Sequence, residues 1–205
     1  MSLEKFSPPE MVTFLGVETS GKTTMSRLMA KRMGGCALRV ATWPSLDRFL
    51  TSPADYAYEN QSEAMDYTLR AKREAIQSQP LPLFADSSPE RVHQVHSWNL
   101  LREGLLAPED WEKLEEQYAE ACEDWGSHYV YLHADLDTIR SRLLERNRPE
   151  DLEYNLQAAT MFIERWEDLV TDPQWRQEKH VLELESETPL DELCDTTEQW
   201  IRDQS

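Results

Sequence analysis

The sequence is poor in glycine and cysteine, and it has no long apolar segment. Only 6 of its 205 residues are glycine and 3 are cysteine. Because Cys36, Cys122 and Cys194 are far apart and odd in number, they argue against a disulfide framework or a zinc site. No apolar run approaches the roughly 20 residues that cross a bilayer, and the N-terminus lacks the pattern of a secretory signal. These absences predict a cytoplasmic protein without a membrane segment.

Positive charge is also scarce. The chain has 21 lysines and arginines against 39 aspartates and glutamates, which gives a formal net charge of −18. Such a surface repels phosphate backbones at long range and argues against a nucleic acid as partner. The hydrophobic fraction of 40% is that of an ordered globular protein. The length suits one α/β domain over residues 1–205.

Two of the few glycines complete a phosphate-binding loop. Residues 16–23 read G-V-E-T-S-G-K-T, which matches the pattern G-x-x-x-x-G-K-S/T. In such a loop the backbone N–H groups surround the phosphates, Lys22 reaches the β- and γ-phosphates, and the Thr23 hydroxyl ligates Mg²⁺. The residues predicted to bind the nucleotide are Gly16, Glu18, Thr19, Ser20, Gly21, Lys22, Thr23 and Thr24.

The flanking pattern predicts a three-layer α/β fold. Short apolar runs alternate with longer amphipathic ones, as in a parallel sheet flanked by helices. We expect about five strands, at residues 11–15, 37–41, 81–85, 128–134 and 181–184. The expected helices follow the loop and cover residues 54–79, 108–124, 136–146, 152–170 and a segment from residue 190, with Leu190 on its buried face.

An aspartate follows the third predicted strand. Ligands of doubly wound sheets lie at the carboxyl edge of the strands, so Asp86 is a candidate to hold Mg²⁺ together with Thr23. The sequence Asp86-Ser87-Ser88-Pro89 is also typical of a turn or a helix cap. We favour the metal role and count Asp86 among the catalytic residues.

Three arginines lie close together after the fourth predicted strand. Arg142 and Arg146 share one face of a helix, and Arg148 follows its end. Converging guanidinium groups suit the charge of a phosphoryl group in transfer, so we predict a catalytic lid over about residues 142–153. The alternative is a solvated face on which these arginines pair with neighbouring acidic residues.

This order of loop, aspartate and arginine-rich segment resembles the thymidylate kinase and deoxynucleoside kinase superfamily of P-loop kinases. The loop with Glu18 at its third position is similar to the thymidylate kinases, and the lid is similar to the deoxynucleoside kinases. The resemblance implies a P-loop NTPase fold, ATP and Mg²⁺ as cofactors, and a small-molecule nucleoside or nucleotide as acceptor. It also implies that Asp151 lies near the acceptor sugar and that Arg70 contacts the acceptor. A homodimer is left open.

The sequence departs from the superfamily at two positions. Deoxynucleoside kinases have a glutamate that takes the proton of the 5′-hydroxyl where this chain has Trp43, which we expect to stack on a nucleobase. Both branches usually have an arginine where this chain has Ser87, and Arg91 is a candidate replacement. Asp47 and Asp86 are candidate replacements for the glutamate.

These departures favour a nucleoside monophosphate as acceptor, because an anionic phosphate needs no base. We therefore expect a thymidylate-kinase-like nucleotide kinase. The first alternative is a deoxynucleoside kinase that phosphorylates a 5′-hydroxyl. Two further alternatives are a catalytically impaired, kinase-like binding protein and a kinase that acts on a modified base in DNA.

Overall fold

The computed structural model has one five-stranded parallel sheet. It describes residues 9–38, 40, 42–146, 149–177 and 179–204, without the side chains of residues 146 and 149–157. The strand order is β2-β3-β1-β4-β5, and every neighbouring pair is parallel. The strands are β1 (Met11–Leu15), β2 (Cys36–Leu38), β3 (Leu83–Ala85), β4 (His128–His133) and β5 (His180–Glu185).

Helices connect these strands. A π-helical turn, Arg91–Ser97, leads directly into the short helix α4. The helices are α1 (Lys22–Met33), α2 (Leu46–Thr51), α3 (Pro53–Ser78), α4 (Trp98–Arg102), α5 (Pro108–Asp124), α6 (Leu136–Arg146), α7 (Pro149–Thr171), α8 (Pro173–Arg176) and α9 (Leu190–Asp203). In the part of the chain that the structure describes, none of them is long and apolar enough to cross a membrane.

The two faces of the sheet have separate cores because successive side chains of a strand point in opposite directions. On one face, Val12 and Phe14 belong to a cluster with α1 and α9 that includes Met29. On the other face, Leu15 belongs to a cluster with α3, α6 and α7 that includes the buried Trp166. Helices therefore cover both faces of the sheet, which confirms the predicted three-layer architecture.

The differences from the predicted elements are local. The second strand ends at Leu38, short of the predicted residue 41, and residues 39 and 41 lie outside the described part of the chain. Helices α2, α4 and α8 and the π-helical turn were not predicted from the sequence. Leu190 is 42% exposed and lines a cavity, so its predicted place on a buried face was wrong.

The strand order brings two predicted site segments together. β1 lies between β3 and β4, and Thr13 is in register with Ala85 of β3. Because parallel strands end at the same edge, the loop after β1 and Asp86 after β3 emerge side by side. Their order in the sequence does not require this, since 62 residues lie between Thr23 and Asp86.

Candidate active site

The loop after β1 has a backbone that only glycine adopts easily. Gly16 has φ 134° and Gly21 has φ 103°. A Cβ atom on Gly16 would lie 2.6 Å from the carbonyl oxygen of Leu132, so the loop passes too close to β4 for any side chain. Thr19 also has a positive φ, 65°, which is rare for a β-branched residue and is typical of functional sites.

Lys22 begins α1 and turns back under the loop. Its Nζ atom donates hydrogen bonds to the carbonyl oxygens of Gly16, at 2.8 Å, and Val17, at 2.5 Å. The residue is 7% exposed. This geometry holds an ammonium group against the backbone of the loop, at the N-terminus of a helix. Both the charge and the helix N-terminus attract an anion.

Two hydroxyl groups of the loop are buried and lack partners. Thr19 Oγ1 and Ser20 Oγ accept and donate no hydrogen bond among the described residues. A buried hydroxyl without a partner costs free energy unless a ligand or water satisfies it. The loop is therefore complementary to a ligand rich in acceptor oxygens, and the residues fit the phosphates of a nucleotide.

Thr23 and Asp86, the two predicted ligands of Mg²⁺, are in direct contact. The Thr23 hydroxyl donates a hydrogen bond of 2.5 Å to Oδ2 of Asp86. Both groups are hard oxygen ligands, which Mg²⁺ prefers. The described residues hold no cluster of three or more His, Cys, Asp or Glu side chains for a metal. Two protein ligands are sufficient for Mg²⁺, because it keeps waters and binds substrate phosphates.

A cavity of about 240 Å³ lies above the loop and is called the loop cavity below. Its lining joins the predicted phosphate loop, the predicted metal ligands and one further arginine. The lining residues are Glu18, Thr19, Gly21, Lys22, Thr23, Thr24, Asp86 and Arg91. The structure thus brings together most of the residues that the loop pattern predicted.

Glu18 and Arg91 form an ion pair inside the loop cavity. Arg91 Nη2 donates a hydrogen bond of 2.5 Å to Oε1 of Glu18. The guanidinium charge is the largest influence on the carboxyl group and holds the pKa of Glu18 well below its usual range, although burial acts in the opposite direction. The carboxylate in turn raises the pKa of Arg91. Both groups are charged at neutral pH.

Arg91 also lines the next cavity, and its role as a replacement for the superfamily arginine stays a prediction. This cavity, the Trp43 pocket, has a volume of about 200 Å³ and is mostly apolar. Ser87 lines it as well. Trp43 Nε1 donates a hydrogen bond of 2.6 Å to Oδ1 of Asn60, which holds the indole ring in the wall. The other lining residues are Leu46, Phe49, Gln61, Ala64, Thr68, Val92, His96 and Leu100.

The π-helical turn explains how Arg91 and His96 come to line the same pocket. A π-helix closes i to i+5 hydrogen bonds and has a wider turn than an α-helix, so residues five apart lie closer to one side of the helix than they would in an α-helix. The ring of His96 contacts the Phe162 ring edge-on, with centroids 5.1 Å apart. Burial, together with the nearby Arg91 charge, lowers the pKa of His96 to about 3, so the imidazole is neutral. A search for 3.6-residue periodicity does not find such a turn.

Arg142 lies in a third cavity, on the opposite side of the loop. Its Nη1 donates to the carbonyl oxygen of Thr19 at 3.2 Å, and its Nη2 donates to that of Ser186 at 2.7 Å. The cavity has a volume of about 480 Å³ and extends to Leu190 and Leu193. Arg142 does not line the loop cavity. Its contacts suit a wall for a donor nucleotide better than the catalytic lid role that we predicted.

Other predicted residues are not brought to the loop cavity. Arg70 lies in a separate groove beside β2, and its guanidinium carbon is 5.3 Å from the centroid of the Tyr67 ring. Asp47 is exposed on α2 and lines none of the cavities described here. Arg148 lies outside the described residues, as do the side chains of Arg146 and Asp151. Their predicted roles stay predictions.

Comparisons with known proteins agree with this geometry. The family model for deoxynucleoside kinase matches residues 15–201. No curated protein sequence matches the chain. Among solved structures, deoxyadenosine kinase from M. mycoides with bound dCTP is similar with a TM-score of 0.73 and 14% identity, covering 94% of this chain and 99% of that one. The same enzyme with bound dATP gives a TM-score of 0.75 and 13% identity, covering 92% and 97%.

The two kinds of comparison support different conclusions. The structural similarity, at this low identity, concerns the fold and agrees with the predicted P-loop kinase architecture. The family model covers the loop, Asp86, Arg91 and Arg142 in one continuous match. The chain is a phosphotransferase, and it belongs to the deoxynucleoside kinase family.

Proposed function

We propose that this protein is an ATP- and Mg²⁺-dependent deoxynucleoside kinase that transfers the γ-phosphoryl group to the 5′-hydroxyl of a deoxynucleoside. The family match supports this alternative better than the nucleoside monophosphate acceptor that the sequence favoured. The loop residues and Arg142 bind the donor. The Trp43 pocket holds the acceptor base, and the acceptor sugar reaches from it into the loop cavity.

One observation favours a nucleoside over a nucleoside monophosphate as the acceptor. Among the described residues, Arg91 is the only lysine or arginine that lines the Trp43 pocket, and its charge is already paired with Glu18. A monophosphate carries up to two negative charges, and burying them without unpaired cations is costly. Arg70, the residue predicted to meet an acceptor phosphate, lies in another groove. The pocket therefore suits an uncharged nucleoside.

The proposed chemistry is positioning and electrostatic stabilisation. Thr23 and Asp86 would hold Mg²⁺ from the loop and from the end of β3. The ion would supply positive charge against the charge that develops on the phosphates. Lys22 stabilises the transferring phosphoryl group from below, at the N-terminus of α1. The largely apolar wall of the Trp43 pocket keeps water away from the acceptor.

The proposal is tested by measuring ADP release with ATP and Mg²⁺ against a matched panel of acceptors. The panel contains each deoxynucleoside, the corresponding ribonucleoside and the 5′-monophosphate of each. We expect turnover with at least one deoxynucleoside and a kcat/KM at least about tenfold lower for its monophosphate, because the added charge meets no unpaired cation. Faster turnover of monophosphates than of nucleosides would contradict the proposal.

Replacement of Trp43 by alanine should weaken acceptor binding without affecting the donor. A stacked base is worth about 1–3 kcal/mol, so the acceptor KM should rise by about 5- to 150-fold while the ATP KM stays within about twofold. Trp98→Ala is the matched control. Trp98 begins α4, its ring is stacked under Arg102 of the same helix and Arg165 of α7, and it does not line the pocket. An unchanged acceptor KM in Trp43→Ala would exclude stacking on this ring.

A further inference from the structure

The proposed reaction leaves one chemical requirement without an obvious residue. A sugar hydroxyl has a pKa far above 7, so its attack on phosphorus is helped by a group that accepts its proton. At the position where the resembling kinases have a glutamate, this chain has Trp43. An indole N–H is a donor only, and this one is already used by Asn60. Another group has to accept the proton.

The positions of the carboxylates leave few candidates for the group that accepts the proton. Among the described residues, only Glu18 and Asp86 place carboxylates in the loop cavity. Asp86 accepts the hydrogen bond of Thr23 and belongs to the metal site. Glu90 is completely buried and accepts a hydrogen bond from the Tyr129 hydroxyl, so no acceptor reaches it. Asp47 is exposed on α2, outside the cavity.

One carboxylate oxygen of Glu18 accepts a hydrogen bond, and the side chain is partly exposed to the loop cavity. Oε1 takes the hydrogen bond from Arg91, whereas Oε2 takes none from any described residue. The side chain of Glu18 retains 35% of its accessible surface, so a ligand in the loop cavity can touch it. Arg91, which holds it, lines both the loop cavity and the Trp43 pocket. The carboxylate therefore lies in the loop cavity, beside the arginine that the two cavities share.

We propose that Glu18, a residue of the phosphate loop itself, is the catalytic carboxylate that accepts the proton of the acceptor hydroxyl. This inference rests on the proposed function, since only a hydroxyl acceptor needs the base. The acceptor oxygen forms its bond to the γ-phosphorus, and the bond between that phosphorus and the β,γ-bridging oxygen breaks. The electron pair leaves with ADP, the hydroxyl proton moves to Oε2 of Glu18, and water then removes it.

The ion pair with Arg91 decides how strong this base is. The guanidinium charge lowers the pKa of Glu18, which keeps the carboxylate ionised at neutral pH but weakens it as a proton acceptor. A weak base is sufficient when the transition state is loose, because the proton moves late. Its contribution should then lie at the low end of the 10²- to 10⁴-fold range of general base catalysis.

The kinetic test compares three variants with a deoxynucleoside as acceptor. Glu18→Gln should lower kcat by about 100-fold, whereas Glu18→Asp keeps a carboxylate and should recover part of that loss. Glu123→Gln, the same change on the exposed face of α5, is the control and should behave as wild type. Thermal unfolding of each variant shows whether it is folded.

A binding measurement tests the contact itself without turnover. Calorimetry without ATP compares the affinity for the deoxynucleoside with that for its 5′-deoxy analogue, which lacks the hydroxyl. A hydrogen bond to a carboxylate predicts a preference for the hydroxyl of about tenfold in the wild type, and a neutral amide in Glu18→Gln should reduce it to about threefold. Glu123→Gln should keep the wild-type preference.

Each outcome either supports or overturns the inference. Equal impairment of folded Glu18→Gln and Glu18→Asp would overturn it, and so would a loss of affinity with unchanged kcat, since Glu18 would then only hold Arg91 in place. A loss in Asp47→Asn, with Glu18→Gln unaffected, would assign the base to α2 instead. If the wild type phosphorylates no nucleoside at all, the proposed function fails. If it does so and Glu18→Gln keeps its kcat, only this inference fails.

Discussion

Replacement of Lys22 by alanine is expected to lower kcat by about 10³-fold or more, the scale of a lost cationic contact to a phosphoryl group in transfer. That loss equals about 4 kcal/mol of transition-state stabilisation. Lys22 is held under the loop by the carbonyl oxygens of Gly16 and Val17, at the N-terminus of α1. No other lysine lines the loop cavity among the described residues, so no neighbouring ammonium group takes its place.

The measurement is steady-state ADP release with saturating ATP and deoxynucleoside. Lys31→Ala removes an exposed lysine from the same helix and should leave kcat within about twofold. Circular dichroism separates loss of chemistry from loss of fold. Lys22→Met, which keeps the aliphatic stem in its buried place, should be as inactive as Lys22→Ala. Activity near the wild-type level in either folded Lys22 variant would rule out the proposed mechanism.

Replacement of Asp86 by asparagine is expected to lower kcat/KM by about 10³-fold at low Mg²⁺ concentration. Asparagine keeps the size of the side chain and a carbonyl oxygen that accepts the hydrogen bond of Thr23, but it removes the negative charge that attracts the ion. Direct stabilisation of transition-state charge by a metal is worth several kcal/mol. The effect should therefore depend on the metal and should not resemble a general loss of stability.

A titration with Mg²⁺ distinguishes weaker metal binding from a general loss of stability. The Mg²⁺ concentration that gives half-maximal rate should rise in Asp86→Asn, and excess Mg²⁺ should recover part of the activity. The control Asp168→Asn makes the same change on the exposed face of α7 and should leave the titration unchanged. An Asp86→Asn protein with the wild-type Mg²⁺ dependence would show that Asp86 is a turn residue, the alternative weighed from the sequence.

Some of the fold follows from local sequence patterns. The alternating apolar runs predict β1 and the helix after it, and α5 begins and ends at the predicted residues 108 and 124. These elements were predictable because their apolar spacing is regular. The π-helical turn was not, since its i to i+5 hydrogen bonds give a wider turn than an α-helix and its residue spacing matches neither the helix nor the strand pattern. Helix α2 has six residues, too short for its periodicity to be recognised.

Part of the candidate site could likewise be predicted from the sequence, and part could not. The loop residues are contiguous, so their spacing alone predicts the cradle around Lys22 and the hydroxyl of Thr23. Arg70 was placed by resemblance and Arg142 by the helix face that it shares with Arg146. The structure puts Arg70 in the groove beside β2 and Arg142 against Ser186. A helical residue can face any of several cavities, and only packing decides which one.

The sequence by itself determined a phosphate-binding loop, a three-layer α/β architecture and membership in a broad superfamily of kinases. Those properties depend on residues that are neighbours in the chain, or on periods that a single element shows alone. The tertiary structure decided what the distant residues do. In the sequence, 72 residues lie between Glu18 and Arg91, and only the adjacency of β1 and β3 brings them into one ion pair. That pair neutralises the charge of Arg91, which is the only arginine among the described residues that line the Trp43 pocket. This is the physical reason for preferring an uncharged acceptor.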